Sequence, residues 1–271
     1  MIEERTSLWS TVLQLPWIKG PLIGGSVISL LTPLHKWTNH ALNNQKMPWK
    51  NPMSGALSYA VSSIPSFAVT FSTKALLKKP PEKSSKAYDF MTSFVAGGTS
   101  GFVCAPFQSV AQNKQLTDNP SNMDVVRKIK KYHGYQGFFQ GASIGVLREG
   151  LWSVMFLSAI PVLSKNLQTT GYKKREAEFI SVMSTAGIFG LFSTPLNIFR
   201  FKKQQDLTKP VSRKSYVQHI HDVLHQEANA SAARKISFFF KAGVPRTVNS
   251  IAITGLMFKA NEFYDEATNR I

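Results

Sequence analysis

Several things are scarce in this chain. Its 271 residues include one cysteine, Cys104, which excludes a disulfide scaffold and any cysteine-cluster zinc site. Charged residues are only 17%, below the about 25% usual in soluble domains. Acids are the scarcer sign: 15 Asp and Glu face 32 Lys and Arg, for a net charge of +17. No glycine period and no heptad pattern runs through the chain, and Phe, Leu and Ile are abundant, so collagen, coiled coil and disorder are excluded. A Gly-rich P-loop, a Gly-x-Ser-x-Gly elbow and a paired-carboxylate site are all lacking, and the chain is not expected to be an enzyme. The basic run from Arg127 to Lys131, expected in a loop, has no groove-reading motif beside it, so no nucleic-acid partner is expected. It suits anionic lipid, or is a solvated basic face. His219, His221 and His225 fit the polar face of a surface helix better than a metal site.

What charge there is avoids long windows. Asn51–Thr73, Phe90–Asn113 and Phe179–Phe199 carry none, and neither do the shorter Gly20–His35, Gly150–Ser164 and Thr247–Phe258; charges stand just past several ends, as at Lys74, Arg148-Glu149 and Lys259. A bilayer core needs about 20 apolar residues per helix. Six membrane-spanning helices are predicted, with a soluble bundle of buried helices as the alternative. Mean hydropathy, −0.10, is modest for a membrane protein. The first nine residues, with Glu3 and Glu4, match neither a signal peptide nor an Arg-rich transit peptide, so an internal address is expected.

The windows repeat. Gly25 precedes Pro33, Gly98 precedes Pro106 and Gly187 precedes Pro195 at one spacing, and each proline leads to a polar residue two places on: His35, Gln108 and Asn197. A second element follows each first one, after Met53-Ser-Gly55, after Gly134-Tyr-Gln-Gly137-Phe-Phe139-Gln-Gly141, and after Phe240-Lys-Ala242-Gly243. Small residues let helices approach closely in lipid, and proline removes a backbone donor and kinks a helix. The unit is helix, turn, helix, in three copies.

These residues resemble the mitochondrial carrier family. The resemblance rests on Pro106-Phe-Gln-Ser-Val-Ala-Gln-Asn-Lys-Gln115, on GYQGFFQGASIGVLRE in the middle copy and on Phe240-Lys-Ala-Gly-Val-Pro-Arg246 in the last. It implies an all-α membrane protein with six transmembrane helices in three tandem repeats, forming a barrel-like bundle about a pseudo-threefold axis. The expected division is a tail (1–18), repeats at 19–82, 83–172 and 173–265, and a second tail (266–271). It also implies a central cavity with alternating access across the inner mitochondrial membrane, and a monomer.

The departures from the family pattern are specific. The signature Pro-x-acid-x-x-base closes one side with ion pairs. Here the acids are replaced by His35, Gln108 and Asn197, and the base survives only as Arg200. Hydrogen bonds among His, Gln and Asn are expected to form a weaker gate. On the even helices only Lys78 and Glu262 fit the second ion-pair ring, with Lys74 at a neighbouring matching position. The resemblance places substrate contacts at Ser62, the adjacent Arg148 and Glu149, and Asn249, with Arg246 one turn away. It places cardiolipin-binding turns at Gly55, Gly137, Gly141 and Gly243; no other cofactor and no metal is expected.

Arg148 suits an anion. The basic field favours a nucleotide such as ATP or ADP, whereas the Arg-Glu pair leans toward an amino acid. Gate signatures this eroded also fit a divergent or captured copy, such as a bacterial effector mimicking a nucleotide carrier in a host mitochondrion. A different class of reading is a carrier-derived adaptor that no longer transports.

Overall fold

The computed structural model describes residues 14–42, 52–53, 56–78, 85–116, 121–204, 207–210, 215–218, 221, 240 and 242–268. Gly55, His219 and His225 lie outside the described residues. Among those described, every regular element is helical. In chain order these are α1 (Pro16–Leu30), α2 (Thr32–Leu42), α3 (Ala56–Leu76), α4 (Lys86–Val103), α5 (Ala105–Leu116), α6 (Asn122–His133), a 3-10 turn (Tyr135–Phe139), α7 (Ala142–Val154), a π turn (Met155–Ala159), α8 (Ile160–Thr169), α9 (Lys174–Phe192), α10 (Thr194–Gln204) and α11 (Gly243–Thr268).

Each expected odd helix is two helices. The breaks fall at Leu31, Cys104 and Ser193, and Pro33, Pro106 and Pro195 are each the second residue after the break. Proline has no N–H for the carbonyl four residues back. At the first break that carbonyl, on Ser29, accepts instead from Thr32 Oγ1 at 2.8 Å. The bend is 57° between α4 and α5 and 46° between α9 and α10. Pro161 acts likewise in the second even helix, where a π turn precedes it and α8 continues the run.

Three hairpins result: α1 on α3, α4 on α7, and α9 on α11. Their seams are lined by small residues. A Cβ on Gly101 would stand 2.7 Å from the Gly145 carbonyl, one on Gly190 2.6 Å from Thr247 Cα, and one on Gly97 would run into the Glu149 carbonyl. The glycines eight residues before proline are looser: at Gly25, Gly98 and Gly187 the nearest atoms would be side-chain carbons at 3.5, 3.3 and 3.6 Å. Serines tie helices across the seams, with Ser66 and Ser100 hydroxyls 2.7 Å apart and Ser93 and Ser158 hydroxyls also 2.7 Å apart.

Membrane-crossing length and composition hold for Tyr135–Thr169, and for the bent pairs Lys86–Val103 with Ala105–Lys114 and Lys174–Phe192 with Thr194–Gln204 if each pair is one span. Ile18–Leu30 is apolar but short. So among the described residues one of the six expected spans meets the criterion outright, and up to three do if each bent pair is one span. The sequences of α3 and α11 show why they fall below it. The first is rich in Ser and Thr and has Lys74 in its last turn; the second carries Arg246, Asn249, Lys259, Glu262 and Asp265.

The basic run expected in a loop is helical. Ser121 Oγ caps α6 by accepting from the Asp124 N–H at 3.1 Å, and Gly134, at φ 63°, ends it. Val125 and Ile129 are buried, while Arg127, Lys128, Lys130 and Lys131 face out. Four cations in the run obscured a two-residue apolar stripe at i, i+4.

Candidate functional site

A cavity of about 140 Å³ lies inside the bundle, between the proline breaks and an aromatic cluster. Helical periodicity puts residues i and i+4 on one face, and the lining follows it. His35 and Asn39 come from α2, Gln108 and Gln112 from α5, and Asn197 and Phe201 from α10. On the even helices Ser62 and Ser66 line it from α3, and Arg148 and Trp152 from α7. Ile253 lines it from α11, one turn beyond Asn249, which is itself fully buried. Glu149, Arg200 and Arg246 complete the charged lining.

The three residues at the acid positions of the signature each reach an even-helix residue. Arg148 Nη1 donates to Asn197 Oδ1 at 3.2 Å. Gln108 Nε2 donates to Glu149 Oε1 at 3.4 Å. Asn249 Nδ2 lies 3.5 Å from His35 Nδ1. Arg148 Nη2 is ion-paired with Glu149 Oε1. In each of these three bonds the side chain meets a residue of α7 or α11.

A buried polar brace joins α5 to α10 at the gate end. Asn113 Nδ2 donates to the Gln204 carbonyl at 2.9 Å, and Gln204 Nε2 donates to Ser109 Oγ at 3.1 Å. Arg200 Nε donates to Gln204 Oε1 at 3.2 Å, so the surviving base is drawn into the brace. Gln112 Nε2 reaches the Phe201 carbonyl at 3.5 Å, and Thr38 Oγ1 reaches the Pro245 carbonyl at 3.3 Å. Gln112 and Trp152 were not singled out in the sequence, yet each follows a chosen residue by four.

The second gate positions, Lys74, Lys78 and Glu262, are not among the residues that line the cavity. Lys74 Nζ turns to α4, donating to the Asp89 carbonyl at 2.8 Å and to Thr92 Oγ1 at 2.7 Å. Lys78 lies beyond the end of α3 and is exposed. Glu262 pairs along its own helix with Lys259 at 2.8 Å, and Lys19 of α1 meets Asp265 of α11 at 2.5 Å. Charges at this end run along helix seams because the axis is filled by rings. Trp152 stacks on Phe156 with centroids 5.0 Å apart, Phe258 and Phe71 meet Phe156 edge-on at 5.4 and 6.4 Å, and Phe67 meets Trp152 at 6.0 Å.

The glycines assigned to lipid turns have local reasons to be small. Gly141 caps α7 at φ 78°, a conformation that favours glycine. A Cβ on Gly137 would stand 2.8 Å from His133 Cβ, and one on Gly243 2.9 Å from Leu191 Cδ1.

Residues 82–171, which hold α4 to α8 and both Arg148 and Glu149, match the family model described as mitochondrial carrier protein. That segment is similar to the mitochondrial carrier family. Carriers of this family are membrane-embedded and move solutes rather than catalyse reactions, and the inner mitochondrial membrane is their typical setting. No curated protein matches the chain.

Proposed function

We propose that the chain moves an anionic metabolite across the inner mitochondrial membrane by alternating access, through six spans in three repeats and as a monomer. The carrying observation is the charge of the cavity. Arg148, Arg200 and Arg246 line it against one carboxylate, Glu149, among the described residues. Such a lining attracts anions, and guanidinium forks suit phosphate and carboxylate alike.

ATP and ADP are the first substrates to test, on charge. The cavity of about 140 Å³ is smaller than the about 300 Å³ at which ordinary ligand sites begin, so a nucleotide requires an opened form. An amino acid is the alternative, supported by the Arg148–Glu149 pair. A non-transporting adaptor is supported by the replacement of the gate acids with His35, Gln108 and Asn197. Cardiolipin is proposed at the turns around Gly137, Gly141 and Gly243, read by lipid retention in native mass spectrometry.

The deciding experiment is uptake of labelled ATP, ADP, dicarboxylates and acidic or basic amino acids into cardiolipin-containing liposomes. Saturable uptake of one class, lost in Arg148→Ala with insertion intact, supports the transporter. No uptake by folded, inserted protein favours the adaptor.

A further inference from the structure

An anion already occupies the guanidinium at the centre of this cavity, and it belongs to the protein. Glu149 Oε1 is bound by Arg148 Nη2 and accepts from Gln108 Nε2 at 3.4 Å. Both side chains of the pair are about 14% exposed, so they border the cavity and are not sealed in the wall. Nη1 of the same guanidinium donates to Asn197 Oδ1 at 3.2 Å. A carboxylate arriving from solution would seek the donors Glu149 now holds.

We propose that Glu149 is a tethered carboxylate that fills the anion site of the empty carrier, and that the transported solute presents a carboxylate or phosphate that displaces it. This rests on the reading of the cavity as the solute site, and it assigns to Glu149 competition with the solute's acidic group instead of contact with an amine. Displacement has a structural consequence. Gln108 stands on α5 and Asn197 on α10, both just past proline breaks, and both are tied into the pair. Taking Arg148 from Glu149 loosens both ties, so occupancy of the site and release of the gate helices are one event. At rest an empty cavity keeps its charge paired and its gate bonds made, and an anion able to compete with Glu149 weakens both together.

The test is thermal stabilisation of the full chain in detergent, titrated separately with malate, glutamate and ADP. Glu149→Gln removes the competing charge but leaves an oxygen for Gln108, and is expected to lower the half-stabilising concentration of the anion that binds by about tenfold, the equivalent of one decade in Kd. The decisive variant is Glu149→Asp. It keeps the charge and withdraws the carboxylate by one methylene, so a tethered competitor predicts tighter binding, by several-fold, whereas a mere effect of cavity charge predicts wild-type binding. Wild-type behaviour of Glu149→Asp overturns the proposal. So does weaker binding of glutamate alone in Glu149→Gln, which makes Glu149 an amine contact, and so does the lack of any shift in both wild type and Glu149→Gln. Stabilisation unchanged in Arg148→Ala would instead remove the solute site from this cavity, which is failure of the underlying reading.

Discussion

Arg148 holds two partners with two nitrogens, Asn197 through Nη1 and Glu149 through Nη2. A planar fork can do this; a lysine ammonium, a point charge on a flexible stem, cannot hold the same geometry. Arg148→Lys should therefore retain insertion and charge yet raise the KM for uptake about tenfold or more, since charge-assisted bonds are each worth about 1.5–3 kcal/mol. Uptake kinetics in liposomes check this, and a KM within twofold of wild type would show that charge alone suffices. Asn197 is legible as the replacement of an acid in the proline signature, and Arg148 as a charge in an apolar run. Their meeting was not legible, because no periodicity relates a residue on α10 to one on α7.

At the scale of the element, glycine does two jobs that spacing alone did not separate. The pattern drew attention to Gly25, Gly98 and Gly187, which repeat at one distance from proline. The seams in which a Cβ would meet main chain of the partner helix belong to their neighbours Gly97, Gly101 and Gly190. Backbone cannot rotate away as a side chain can, so overpacking there costs about 1–3 kcal/mol. Gly101→Ala should lower the melting temperature in detergent measurably, while Gly25→Ala, with 3.5 Å to Ile64 Cγ1, should leave it nearly unchanged. Equal effects would mean that the α4–α7 seam can slide. The hairpins and the proline breaks were legible from the repeat itself. The π turn and the helical nature of the basic run were not, since Pro161 lies outside the repeated pattern and the lysines of α6 mask its apolar stripe.

Taken whole, the molecule holds its helices together by different physics toward its two ends. The proline-break end depends on neutral and mixed hydrogen bonds: Asn113 and Gln204 across α5 and α10, and His35, Gln108 and Asn197 against α7 and α11. The other end is filled by Phe67, Phe71, Trp152, Phe156 and Phe258, with peripheral ion pairs such as Lys19–Asp265. Packed rings close a passage by excluding water and keep no partner for an anion to compete with. Removing part of that cluster, as in Phe156→Ala, should admit small solutes unrelated to the substrate, read as dye efflux from loaded liposomes. A tight lumen in that variant would place the closure elsewhere.

The polar end carries a further consequence. Three positions without an acid cannot form a ring of ion pairs; their single bonds, two of them to the charged Arg148 and Glu149, contribute about 0.5–3 kcal/mol each. A gate of that strength is broken by thermal motion far more often than a dry ion-pair ring, whose opening needs a charged competitor. The empty carrier should then reorient without cargo, and uptake should proceed into liposomes that contain no counter-substrate. Restoring one acid, as in Asn197→Asp, turns the Arg148–Asn197 bond into an ion pair and should slow that uncoupled uptake while sparing exchange. Strict dependence on internal counter-substrate in the wild type would show that the brace of Asn113, Gln204 and Ser109 holds the gate as firmly as ion pairs do.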